Sequence, residues 1–143
     1  MRAGRRILRA AAGITAVGGF AADWNRTHLF NPAWTPRAKF HDALTISVGM
    51  LLGSASLYYL GRRGGSPRDN RRIGALLPAV FWAAMGLSFL FPGAKGLESE
   101  FPELIPRVKG VWINERFGSG FFLALIAAGY LLDRSQDRSH DAR

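Results

Sequence analysis

Four ionisable side chains, Asp23, His28, His41 and Asp42, are carried by one short polar segment, DWNRTHLFNPAWTPRAKFHD, residues 23–42. Asp23 closes one apolar stretch, His41 and Asp42 open the next, and His28 lies between them. If the flanking stretches pair as an antiparallel hairpin, all four reach the same depth. Three chemistries could use them. A neutral imidazole beside Asp23 or Asp42 acts as a general base, the carboxylate fixing its tautomer. Imidazole with carboxylate also suits zinc or iron, but the spacing matches no compact ligand motif and no metal is assigned. In the third, the polar groups hold the head of a lipid or quinone whose tail lies among apolar side chains, with Asn31, Trp34 and Phe40 as further contacts. A purely structural use competes with all three: Asp23 bonds the loop, His41 and Asp42 satisfy backbone amides at a helix start, and Trp34 anchors an interface. Glu115 and Arg116, just before the last apolar stretch, fall at the same depth and either pair with the loop or complete the cluster.

The elements that must position these residues are apolar blocks separated by basic connections. The chain has 143 residues, 48% of them hydrophobic, a net charge of +9 and no cysteine. That excludes disulfides, zinc-thiolate sites, iron–sulfur clusters and a cysteine nucleophile. Ile73–Ala94 is the longest uncharged run and, as a helix, spans a hydrocarbon core of about 30 Å. Ala43–Leu60 is just long enough to span. Phe117–Leu132 and Ile7–Ala22 are shorter, and the first of the four blocks contains Arg9, whose long stem can lift its charge toward the headgroups. The expected fold is therefore all-α, an integral membrane antiparallel four-helix bundle in one domain (1–143), with spans at about 7–22, 43–60, 73–94 and 117–132 and a solvated, disordered tail at 133–143. Arg2, Arg5 and Arg6 before an apolar run ending in Gly19-Phe20-Ala21 also resemble a cleavable secretory signal. The short distance to the next span favours an uncleaved helix.

Lys and Arg near span ends are retained in the cytoplasm. The N-terminal arm, the Gly61–Arg72 loop and the tail carry most of them, so both termini are expected on the cytoplasmic side of a plasma membrane. Trp24, Trp34 and Trp112 then fall near the outer interface, and Tyr58, Tyr59 and Tyr130 near the inner one. Trp82 lies deep in the third span, where its N–H needs a partner within the bundle. The loop GRRGGSPRDNRR taken alone would fit a nucleic-acid patch, but its place between spans suits a short flexible turn touching anionic headgroups; no nucleic-acid partner is expected.

Helices in lipid associate through small residues. Gly49 with Gly53, and Ala12 with Ala16, form such ridges, whose expected use is packing within the chain and whose alternative is a homodimer interface. Pro78 removes a backbone hydrogen bond and frees a carbonyl for a Ser or water. Phe101, Leu104, Ile105, Val108 and Trp112 fall on one helical face, which predicts an interfacial helix before the last span, either a cover over the outer end or a lid.

The run His28-x-Phe30-Asn31-Pro32-x-Trp34-x-Pro36-x-Ala38-x-Phe40-His41 resembles the signature of a family of small four-span membrane proteins with no assigned reaction, loosely similar to DoxX-like bundles. The resemblance covers this segment and the four-span layout. Members often carry His where Arg37 stands; here the run reads Pro36-Arg37-Ala38-Lys39-Phe40-His41.

The leading expectation is a small membrane protein that binds an amphipathic ligand, a lipid or quinone, at an outer-face Asp/His cluster, with no resident cofactor. The alternatives are a membrane enzyme or redox-partner subunit doing acid–base chemistry on a hydrophobic substrate, and a non-catalytic assembly subunit. No phosphate-binding loop, serine elbow or dinucleotide fingerprint is present.

Overall fold

The computed structural model describes the backbone of residues 3–141 and the side chains through residue 136. Four helices dominate: α1 (Ala3–Asp23), α2 (Pro36–Gly61), α3 (Pro67–Ser88) and α4 (Glu115–Asp141). The fold is all-α apart from a short hairpin, β1 (Arg107–Val108) and β2 (Val111–Trp112), in the α3–α4 connection. Consecutive helices are antiparallel neighbours and α4 closes against α1. Arg5 donates to the Leu60 carbonyl at the end of α2, Gly74 near the start of α3 packs on Leu60, and Gly129 of α4 packs on Ile7.

Two helices start on a hydroxyl-proline pair. Thr35 is extended (φ −66°, ψ 157°), its side chain accepts the Ala38 N–H, and Pro36 opens α2; Ser66 and Pro67 repeat the arrangement on α3 with the Asp69 N–H. An N-cap hydroxyl satisfies an otherwise orphaned amide, and proline in the first turn loses no bond. Half of the basic 61–72 segment, Pro67–Arg72, thus forms the first turns of α3, and the short turn expected there is confined to residues 62–66.

Small residues meet where helices cross. A Cβ at Gly53 would lie under 3 Å from backbone atoms of Ala12 and Ala16, and one at Gly49 would crowd the Thr15 carbonyl and Phe81. The α2 ridge is therefore spent on α1 within the chain. Pro78 is buried inside α3, and the carbonyl it leaves free, that of Gly74, accepts the Ser56 hydroxyl from α2. Trp82 donates to Thr15 Oγ1 at 2.9 Å and stacks on Phe122 with ring centroids 4.0 Å apart.

Three expectations are corrected. The 73–94 run is helical only to Ser88, because Pro92 disfavours helix at Phe91 and Gly93 takes a φ of 81°. The helix is 22 residues long, but Arg68, Asp69, Arg71 and Arg72 occupy its first turns, so it lacks a window apolar enough for a hydrocarbon core. Among the described residues the helices long and apolar enough to cross a membrane are α2 and α4, the latter counted over Glu115–Gln136. Second, the 101–112 segment is no interfacial helix. Pro102–Leu104 makes one 3-10 turn, and β1 and β2 pair Arg107 with Trp112 and Val108 with Val111 across Lys109 (φ 49°) and Gly110 (φ 84°). Pro106 pushes Ile105 out of the helical region, and consecutive positive φ values at the turn match a tight hairpin. Third, α4 continues from Leu132 to Asp141, and Asp133 is buried, only 1% exposed, 3.3 Å from Arg5 and 3.7 Å from Arg71. Those two cations draw in a carboxylate that sequence alone leaves in solvent.

Candidate functional site

The site lies at the other end of the bundle, where α1 ends and α2 and α4 begin. The α1–α2 loop is held by its own polar side chains. The Asp23 carbonyl accepts from Asn25 and Leu29, and Asn31 accepts the Ala33 N–H and donates to the Thr27 carbonyl. Asn31 is buried, and Trp34 reaches across to Glu100 in the α3–α4 connection, 3.5 Å away.

This loop fixes one histidine. Asn25 donates to the Ala22 carbonyl and accepts the Thr27 N–H, which sets its amide orientation. Thr27 Oγ1 lies 2.6 Å from Asn25 Oδ1, so the hydroxyl proton must sit between the two oxygens. Thr27 Oγ1 then accepts from His28, 2.8 Å away, and the ring carries its hydrogen on Nδ1. Nε2 is left facing Asp23 Oδ1 at 3.6 Å, and Trp34 packs edge-on against the ring at 5.5 Å. With Nδ1–H committed, one proton between Nε2 and the carboxylate makes the contact favourable, from either side. The distance is an electrostatic contact that a small rotation closes to a hydrogen bond.

Asp23 sits beside further acids. Burial pushes its carboxyl up to about 6; His28 opposes this, while Asp42 and Glu115 add to it. Burial also raises Asp42, against His28. Glu115 accepts the Leu97 N–H on Oε1, and its Oε2, like Asp42 Oδ2, is buried without a hydrogen-bond partner. Among the described residues no three His, Asp or Glu side chains converge closely enough to hold a metal.

Beneath these groups is a cleft of about 220 Å³. Asp23, His28 and Glu115 line its polar part, Thr15 and Trp82 form part of its wall deeper in the bundle, and Ile14, Phe81 and Met85 contribute apolar surface. A second cleft of about 430 Å³ runs between α2 and α3 and shares Thr45, Phe81, Met85 and Glu115 with the first.

Of the candidates named from sequence, Asp23, His28 and Asp42 come together. His41 does not: it is exposed on α2, against Phe40 at 5.5 Å, and Phe40 is itself 64% exposed. Both fall on α2 beyond its Thr35 cap, where helical geometry turns them from the loop. Asn31 spends its amide on the loop backbone, leaving Trp34 as the aromatic contact of the histidine. Thr15, Met85 and Leu97 were missed; only Thr15 carried a signal, a lone hydroxyl in an apolar helix. Glu115 completes the acidic group.

Neither a curated protein nor a solved structure matches the chain, and nothing in these comparisons supports the likeness to DoxX-like bundles. A family of unknown function, DUF6640, matches residues 7–143, and the chain belongs to that family.

Proposed function

We propose that this chain is a small integral membrane protein, with four spans and both termini in the cytoplasm, that binds an amphipathic ligand through Asp23, His28 and Glu115. The bundle's inverted packing supports the membrane placement. Among the described residues half of the buried hydrophobics are alanines, Ala11, Ala12, Ala16 and Ala75, while Val17, Leu51, Leu76 and Leu131 are more than half exposed. Lipid favours that distribution, and water penalises large contiguous apolar surface. Outward Val17 and Leu76 extend the apolar face to α1 and α3, the two helices that are long enough to span but carry charged first turns.

The observation that carries the ligand reading is the cleft: a few convergent polar groups at one end of an apolar recess, the usual anatomy of a small-molecule site. Mass spectrometry after gentle extraction tests it. A lipid or quinone of reproducible mass should co-purify with the wild type and be lost on His28→Ala. A well-folded wild type with no bound molecule, together with a His28→Ala effect on folding yield alone, would sink the proposal.

One observation favours a second reading, acid–base chemistry on a hydrophobic substrate. The Thr27 bond orients His28, and Asp23 exchanges its proton near neutrality, as a proton-transferring pair requires. It predicts turnover that disappears on Asp23→Asn while the bundle still folds.

A further inference from the structure

We infer that the occupant is a lipophilic amine, its ammonium head in the Asp23/His28/Glu115 cleft and its apolar tail in the groove between α2 and α3. This rests on the ligand-binding reading above and names the class of ligand.

The argument for the tail is one of size and place. The inner cleft of about 220 Å³ is smaller than the roughly 300–1,000 Å³ of ordinary small-molecule sites, whereas the adjoining groove of about 430 Å³ falls within that range. The two meet at Thr45, Phe81, Met85 and Glu115, so one molecule can occupy both. From Leu44 to Leu52 the groove follows α2 for about 12 Å toward the middle of the bundle. Its walls are apolar, including Leu44, Val48 and Val80, each of which also presents surface outward. In the membrane orientation proposed above, that face meets lipid, and a tail reaches the groove sideways without crossing the polar loops.

Charge decides the head. The inner cleft is lined by Asp23, His28 and Glu115 and by no Lys or Arg; the proton that His28 and Asp23 share leaves that pair neutral, so Glu115 supplies the uncompensated negative charge, with Asp42 close by. Lys95 lines only the groove and is itself exposed. Glu115 Oε2 is a buried acceptor that no protein donor reaches. A phosphate or carboxylate head would meet like charge there, while an ammonium brings donors and opposite charge to a water-poor recess.

The test compares decylamine, decanol, decanoate and a short-tailed ubiquinone, titrated against the full chain in nanodiscs by calorimetry. Glu115→Gln, which retains an acceptor for the Leu97 N–H, and Val48→Trp, which blocks the groove, serve as comparators. The expected result is decylamine binding at least about tenfold tighter than decanol, no saturable decanoate binding, and a loss of about tenfold or more in each variant. Tighter binding of decanol or ubiquinone than of decylamine would overturn the amine assignment and leave the ligand site standing. Decylamine binding unchanged in both variants would overturn the placement of head and tail. If no probe binds a folded wild type and nothing co-purifies with it, the ligand-binding reading falls as well.

Discussion

Replacing Asp23 by Asn should make the protein more stable at neutral pH while abolishing the function of its site. Burial raises this carboxyl from its ordinary 3.8 to about 6, with His28's opposing attraction already contained in the net value. A raised carboxyl pKa means that the native chain holds the proton more tightly than the unfolded one. Below about pH 4 the group is protonated in both states, and its ionisation costs nothing. Between about pH 4 and pH 6 the unfolded chain releases the proton first, so native stability falls as pH rises. Above pH 6 the cost is complete, about two pH units at 1.36 kcal/mol each, or roughly 3 kcal/mol. Asn keeps the side chain's shape and cannot ionise, so Asp23→Asn should exceed the wild type by about 2–3 kcal/mol at pH 8 and equal it near pH 4. For a chain of this size that is about 6–10 °C in Tm. Thermal unfolding of both proteins in one detergent, followed by circular dichroism from pH 4 to pH 8, measures the difference. A variant less stable than wild type at pH 8, or an advantage that does not change with pH, would refute the reasoning. A stabilised variant that has lost its ligand would mark Asp23 as held in a costly environment for function.

Three further outcomes follow from the packing. Asp133→Asn leaves Arg5 and Arg71 facing each other in a buried site and should cost about 3–5 kcal/mol, read by chemical denaturation; a loss under about 0.5 kcal/mol would show the cluster to be inert. Gly53→Ala places a methyl against the Ala12 and Ala16 backbone and should cost about 1–3 kcal/mol, with Gly13→Ala, where a Cβ meets nothing within 4 Å, as the neutral comparison; equal melting of the two would contradict the close α1–α2 contact. Ser56→Ala leaves the Gly74 carbonyl unbonded beside Pro78 and should cost about 1–3 kcal/mol in the same assay, an unchanged midpoint counting against that bond.

Much of the framework was legible because its signals are local. Uncharged runs marked the four helices, and small residues at helical spacing marked the ridges that meet between α1 and α2, whereas the starts of α2 at Pro36 and α3 at Pro67 lie earlier than those runs. Trp82 needed an N–H partner inside the bundle and finds it in Thr15; Pro78 needed a hydroxyl for its freed carbonyl and finds Ser56. The errors arose where composition and geometry part company. Apolarity ran through Phe89–Ala94, but Pro92 and Gly93 govern the backbone there. Helical periodicity in 101–112 was genuine as a pattern, yet Pro102, Pro106 and Gly110 fold it as a turn and hairpin. Asp133 looked like the first residue of a polar tail because its partners, Arg5 and Arg71, are distant in sequence. At the site the same limit applies. The hairpin argument brought Asp23, His28 and Asp42 together, but His41 is a residue away from Asp42 on a helix and so points elsewhere. Glu115, placed at this depth by its position just before the last apolar stretch, joins the site at the start of α4, while Arg116 does not line the cleft.

The most direct test of the central claim is native mass spectrometry of the gently extracted wild type beside Gly18→Leu. Gly18 lines the inner cleft, and a Cβ there makes only ordinary contact with Ile14, so a larger side chain can take up the recess while Asp23, His28 and Glu115 themselves stay unsubstituted. The account predicts a reproducible bound amphipath on the wild type and none on an equally folded Gly18→Leu. The same added mass on both proteins, or on neither, would contradict it.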